Sequence, residues 1–260
     1  MSRSPEASDA VRRSVGRRDV TEWRSRGGRR LVEAHRRLAE RRNEPLAVAT
    51  TLAIGGAIAV AGVWATTFLY DAVADQDGIA RLDRPVLARA KRARGPLPNG
   101  AAAAIAHLFG PIGMPVLAAA AGTTLSLRAR DPLPVVTVAA AGAGSVLMTL
   151  GGKGVVDRHR PPRRDAIPPF EHSPSFPSGH TLNATVVAGT LAYLLMLEQR
   201  QNAPQIATAA VATAATATVG LSRVLLGAHW FTDVLTGWAA GAGWLATVVT
   251  AHRLHLTLRP

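Results

Sequence analysis

The stretch PLAVATTLAIGGAIAVAGVWATTFLY, residues 45 to 70, runs 26 residues without a charge. A bilayer core needs about 20 apolar residues in helical form, so this run is long enough to cross one. Five more follow: 99–127, 133–152, 181–197, 205–221 and 230–251, the last carrying one acid near its start. Small residues fill all six, as expected where helices approach closely in lipid. The pattern predicts an all-α, six-span membrane bundle. The second run contains His107, Gly110-Pro111 and Pro115. It is therefore expected to be kinked or re-entrant. The fifth, rich in Ala and Thr, is the least apolar. No internal repeat is visible.

Composition narrows the chemistry. The chain has 260 residues, no cysteine, and a formal charge of +13. Without thiols there is no disulfide, thiolate metal site or cysteine nucleophile. A charge of this size spread over a soluble domain would suggest nucleic acid, but here 13 of the 28 arginines lie in residues 1–44. That segment reads as a basic tail, partly helical or disordered, lying against lipid headgroups, and no nucleic-acid partner is expected. The organisation is thus a tail (1–44), a six-span domain (45–251) and a short C-terminal tail (252–260).

Six spans put both termini on one side. That side holds 18 of the Lys and Arg residues and the other 12. The positive-inside bias predicts cytoplasmic termini, with the 71–98 loop and the loops at 153–180 and 222–230 facing outward across the cell membrane.

Three outward edges carry unusual residues. The third span ends GGKGVVDRHRPPRR. Lys153 is one of only two lysines in the chain, and Arg160 follows seven residues later. Taken alone, the pair reads equally as headgroup cations flanking a span. The fourth span opens with Pro177-Ser178-Gly179-His180. A helix N-terminus offers unpaired N–H groups and a positive dipole end, so it suits an anion, with His180 in reach of whatever the amides hold. The fifth and sixth spans are joined by SRVLLGAHWFTD, residues 222–233. Arg223 precedes His229 by six residues, and Asp233 follows it by four. On a helix, His229 and Asp233 would share a face, and the carboxylate would fix the imidazole tautomer. No second carboxylate stands beside these motifs. Three cations and helix amides around a nucleophilic histidine describe a phosphoryl-transfer site rather than a dinuclear metal centre.

These motifs resemble those of the type 2 phosphatidic acid phosphatase (PAP2) family, lipid phosphatases that share a core with vanadium haloperoxidases. The family pattern is Lys, six residues, Arg-Pro; then Pro-Ser-Gly-His; then Ser-Arg, five residues, His, three residues, Asp. It is met at Lys153, Arg160-Pro161, Pro177 to His180, Ser222-Arg223, His229 and Asp233. The resemblance implies a phosphohistidine intermediate on His229, oriented by Asp233, with His180 as acid and then base. Lys153, Arg160, Arg223, Ser178 and the Gly179 amide would bind the phosphate. It implies no metal ion or other cofactor. The substrate would be a lipid phosphate reached from the bilayer. The outward site and an Arg- and Ala-rich, bacterial-looking composition point to a polyprenyl (di)phosphate, with phosphatidylglycerophosphate and phosphatidic acid as alternatives. A non-catalytic lipid-binding or transport protein is the competing class.

Overall fold

The computed structural model describes residues 14–15, 18–19 and 44–258. Eight α-helices make up almost all of it: α1 (Glu44–Asp75), α2 (Asp83–Arg92), α3 (Pro96–Leu108), α4 (Gly113–Ala129), α5 (Leu133–Val156), α6 (Gly179–Glu198), α7 (Asn202–Leu225) and α8 (Phe231–Leu258). Two-residue strands β1 (Ser14–Val15) and β2 (Arg18–Asp19) pair antiparallel in the tail, an addition to the helical class expected. The part of the basic tail expected to be helical lies outside the described residues.

Five helices are long and apolar enough to cross a membrane, and α3 with α4, bent by 58° between them, passes the same test as a pair. The bend falls where the sequence puts Gly110 and Pro111. A proline lacks the N–H that a continuing helix would use, so the chain breaks and restarts at Gly113. The other helices outrun the apolar stretches that announce them; α5, for example, continues through Lys153 to Val156. A cation near a helix end reaches the headgroups while its backbone stays helical.

α6 is the hub. Half of its spanning window is buried, the largest share of any crossing helix. Leu182 and Val186 pack with Ala141 of α5 and Ala240 and Val248 of α8. Ala184 and Val187 pack with Met114 of α4 and Val219 of α7. α1 lies along α8 at near backbone contact: a Cβ on Gly62 would stand 2.7 Å from the Gly243 Cα. Only a residue without a side chain permits that approach.

The 71–98 segment is not the open loop that its polarity suggested. α1 runs to Asp75, a 3₁₀ turn spans Gly78–Leu82, and α2 follows. Tertiary contacts build this cap. Asp83 is buried and accepts the Thr232 N–H at 2.8 Å and the Thr232 hydroxyl at 2.8 Å. Arg94 donates to the carbonyls of Leu225 and Asp165 at 2.8 Å each. Lys91 is bonded to Asp165, which holds that carboxyl below its usual range. α2 therefore ties the ends of α7 and α8 to the 157–178 loop at one end of the bundle, and the three motifs meet at that end.

Candidate active site

The positioning of His229 differs from expectation in one respect. It is not on a helix with Asp233, since α8 begins at Phe231. It sits in the turn after α7, where its own N–H and that of Ala228 both reach back to the Arg223 carbonyl, at 3.3 and 3.0 Å. Asp233, in the first turn of α8, accepts the Trp230 N–H at 2.9 Å. Its Oδ2 faces His229 Nδ1 at 3.5 Å, longer than a fully formed hydrogen bond. Both side chains are fully buried.

The other ring nitrogen identifies the tautomer. Arg160 Nη1 lies 3.1 Å from His229 Nε2. A guanidinium can only donate, so Nε2 is the acceptor and the ring proton sits on Nδ1, towards Asp233. The lone pair of Nε2 points at the cationic side of the site. A similar argument applies to His180, in the first turn of α6. Its Nε2 lies 3.2 Å from the Ala106 carbonyl, which can only accept. Nε2 therefore carries a proton, and Nδ1 is the atom left to exchange one with a ligand.

The cations converge as expected. Arg160 is held by the carbonyls of Ser173 (2.7 Å) and Ala228 (2.6 Å). Lys153 donates to Ser173 Oγ (2.7 Å) and the Pro174 carbonyl (2.8 Å). Arg223 is fully buried, and its Nε and Nη1 meet no acceptor among the described residues. Ser178 is the N-cap of α6, fully buried, with its hydroxyl against Thr181 Oγ1 at 2.9 Å. Gly179 opens the helix against α5: a Cβ there would lie 2.7 Å from Thr149 Cγ2. The N–H groups of this first turn have no intrahelical partner.

Two carboxylates overturn the expectation that none stands near. Glu171, from the loop between the first two motifs, reaches the centre of the site. Its Oε2 pairs with Arg160 at 2.8 Å and lies 3.5 Å from His229 Nε2. Its Oε1 is bonded to Arg223 and lies 3.4 Å from His180 Nδ1. Burial opposes ionisation, but the Arg223 charge holds the Glu171 carboxyl well below the usual carboxylate range. Asp83 is the second. Arg158 bridges it, at 2.6 Å, to Asp233, at 2.5 Å, and also donates to Thr232. Neither acid lies on a periodic apolar segment, so periodicity carried no sign of where they point. Among the described residues, no group of three or more His, Asp or Glu side chains is placed to hold a metal ion.

A cavity of 330 Å³ opens over this end of the bundle, lined in part by Arg160, Phe170, Glu171 and Ala228. His180, Arg223 and His229 are not among its lining residues.

Comparison with known proteins bears on the same residues. The sequence model of the PAP2 superfamily matches residues 133–255, which contain every motif above. Phosphatidylglycerophosphatase B of Bacillus subtilis (strain 168) is 37% identical over 91 residues. The chain spans about two fifths of that relative's length, with the aligned part making up 33% of this chain and 42% of the relative. The crystal structure of a transmembrane PAP2-type phosphatidylglycerolphosphate phosphatase from Bacillus subtilis matches with a TM-score of 0.66 at 25% identity, covering 75% of this chain and 96% of that one.

Proposed function

Residues 133–255 make this chain a member of the PAP2 superfamily, and we propose on that footing that it hydrolyses a lipid phosphate in the membrane through a phosphohistidine. One observation carries the reading most directly. A single anion position is bracketed by Arg160 and Arg223 and lies within 3.5 Å of both His180 and His229. A phosphoryl group placed there would meet cations on its equatorial oxygens.

In the first step, the lone pair of His229 Nε2 forms a bond to phosphorus. The bond from phosphorus to the lipid oxygen breaks, and His180, entering as the imidazolium with its Nε2 proton on the Ala106 carbonyl, gives that oxygen its Nδ1 proton. In the second, Nδ1 takes a proton from water, the water oxygen attacks phosphorus, and the bond to Nε2 breaks. Inorganic phosphate leaves and both histidines are restored. Asp233 keeps the ring proton on Nδ1 throughout. Lys153, Arg160, Arg223 and the first turn of α6, opened by Ser178 and Gly179, hold the phosphate.

Among lipids, the similarity to phosphatidylglycerophosphatase B favours phosphatidylglycerophosphate. A polyprenyl (di)phosphate is the second reading, favoured by the outward-facing site that the charge bias predicts. Phosphate release by the purified chain from these two and from phosphatidic acid ranks them. Folded protein that releases phosphate from none of them would leave the non-catalytic lipid-binding reading.

Two outcomes are expected from the site's chemistry. Hydrolysis should persist in excess EDTA, because fixed cations occupy the places a divalent ion would need and would repel it. Vanadate, which adopts five-coordinate geometry, should inhibit, and the inhibition should weaken sharply in Arg223→Ala. Activity lost to EDTA and restored by Mg²⁺ would overturn the mechanism.

The proposed sidedness is open to cysteine labelling, since the chain has no native thiol. Ala93 and Gln201 are exposed at opposite ends of the bundle. In intact cells, Ala93→Cys should react with an impermeant maleimide and Gln201→Cys should not. The reverse pattern would put the site in the cytoplasm.

A further inference from the structure

We propose that Glu171 is an internal competitor, an anion that holds the phosphate position and must be displaced before a phosphate can bind. This rests on the phosphatase reading above. The two oxygens of Glu171 engage the same groups that a phosphate would. Oε1 takes Arg223 and faces His180; Oε2 takes Arg160 and faces His229 Nε2 at 3.5 Å. A phosphorus atom cannot reach attacking distance from Nε2 while that oxygen is there. The cavity is lined by Glu171 and Arg160, whereas His180, His229 and Arg223 are not among its lining residues. The carboxylate is thus both the competitor and part of the cavity wall.

Arg223 is fully buried, and a buried guanidinium without an anion is costly. Glu171 neutralises it between turnovers. Glu171 belongs to a loop with no helical hydrogen bonds of its own between Pro168 and Ser178, so it can withdraw towards the cavity without disturbing the helices.

Inhibition constants of the full chain in detergent test this. Phosphatidic acid in micelles is the substrate, and inorganic phosphate and diethyl phosphate are the competitors. If the internal carboxylate holds the position in about 90–99% of molecules, its removal should raise apparent affinity about 10- to 100-fold. Glu171→Gln should therefore make diethyl phosphate an inhibitor at least about tenfold stronger than against the native chain. Inorganic phosphate should strengthen by a similar factor, because both ligands displace the same carboxylate. Unchanged or weakened constants, with only kcat lowered, would make Glu171 a partner that orients His180 and would overturn the proposal. Should the variant fail to fold, hydrogen exchange on the native chain decides. Inorganic phosphate should speed exchange at amides 170–173 as the loop is displaced, whereas slowed or unchanged exchange would refute displacement. Failure of the phosphatase reading itself is distinct: native protein would release no phosphate from any lipid, yet phosphate would still alter that exchange.

Discussion

Purified His229→Ala is expected to hydrolyse lipid phosphate at least about 10⁴-fold more slowly than the native chain, because nothing else at the site can form the covalent bond to phosphorus. His180 is the other imidazole facing the anion position, and its Nε2 is occupied by the Ala106 carbonyl. Its Nδ1 faces the same anion from another side, where it is placed to move a proton. Glu171 would bring a negative charge against a negative substrate. A water attacking directly would have to occupy the space that the ring vacates, with Asp233 as its only base and Arg158 bonded to that base at 2.5 Å. The measurement is phosphate release from micelles, paired with quenching of a labelled substrate in denaturant at alkaline pH. The native chain should carry an acid-labile phosphate label and the variant none. Thermal unfolding separates lost chemistry from lost fold. A folded variant with turnover within tenfold of native would remove His229 from the mechanism.

The parts of this molecule that were legible in the sequence share one property: their signal is local. A run of apolar residues as long as a bilayer is thick reads directly as a crossing helix, and Gly110-Pro111 reads as a break in one. The site motifs are legible because a reaction fixes residue types at fixed short spacings. The residues that were missed depend on partners far away in the chain. Asp83 lies in a polar segment that looks like a loop, and its burial is set by Thr232 and Arg158, more than 70 residues distant. Arg158 sits two residues before Arg160 in a stretch dense with arginines, so nothing in the composition sets it apart. Glu171 stands among prolines with no period to say which way it faces. Each missed residue bears a charge that neutralises another buried charge. Such pairings are satisfied only in three dimensions, so a reading of charge along the chain sees an arginine-rich loop where the fold has a set of ion pairs.

The same network predicts the second large effect. Asp233→Asn should lower kcat by about 10³- to 10⁴-fold in a protein that still binds phosphate. The native carboxylate accepts from three directions: Arg158 on Oδ1, and on Oδ2 the Trp230 N–H with the His229 Nδ1 proton facing it. An asparagine has one acceptor and one donor. Arg158 can only donate, so the amide oxygen turns to it and the NH₂ group is left against Trp230 N–H and His229 Nδ1. The imidazole then relieves the conflict by moving its proton to Nε2. That blocks the attacking lone pair and sets a second donor against Arg160 Nη1, 3.1 Å away. Burial of the mismatched donors should also cost about 1–3 kcal/mol of stability, visible as a lower unfolding temperature. Arg160 and Arg223 are untouched by the change, so the inhibition constant for inorganic phosphate should stay within a few-fold of native. That division is the diagnostic, because a general loosening of the site would weaken phosphate binding along with kcat. A folded Asp233→Asn chain with kcat within tenfold of native would show that Arg160, rather than Asp233, sets the tautomer of His229.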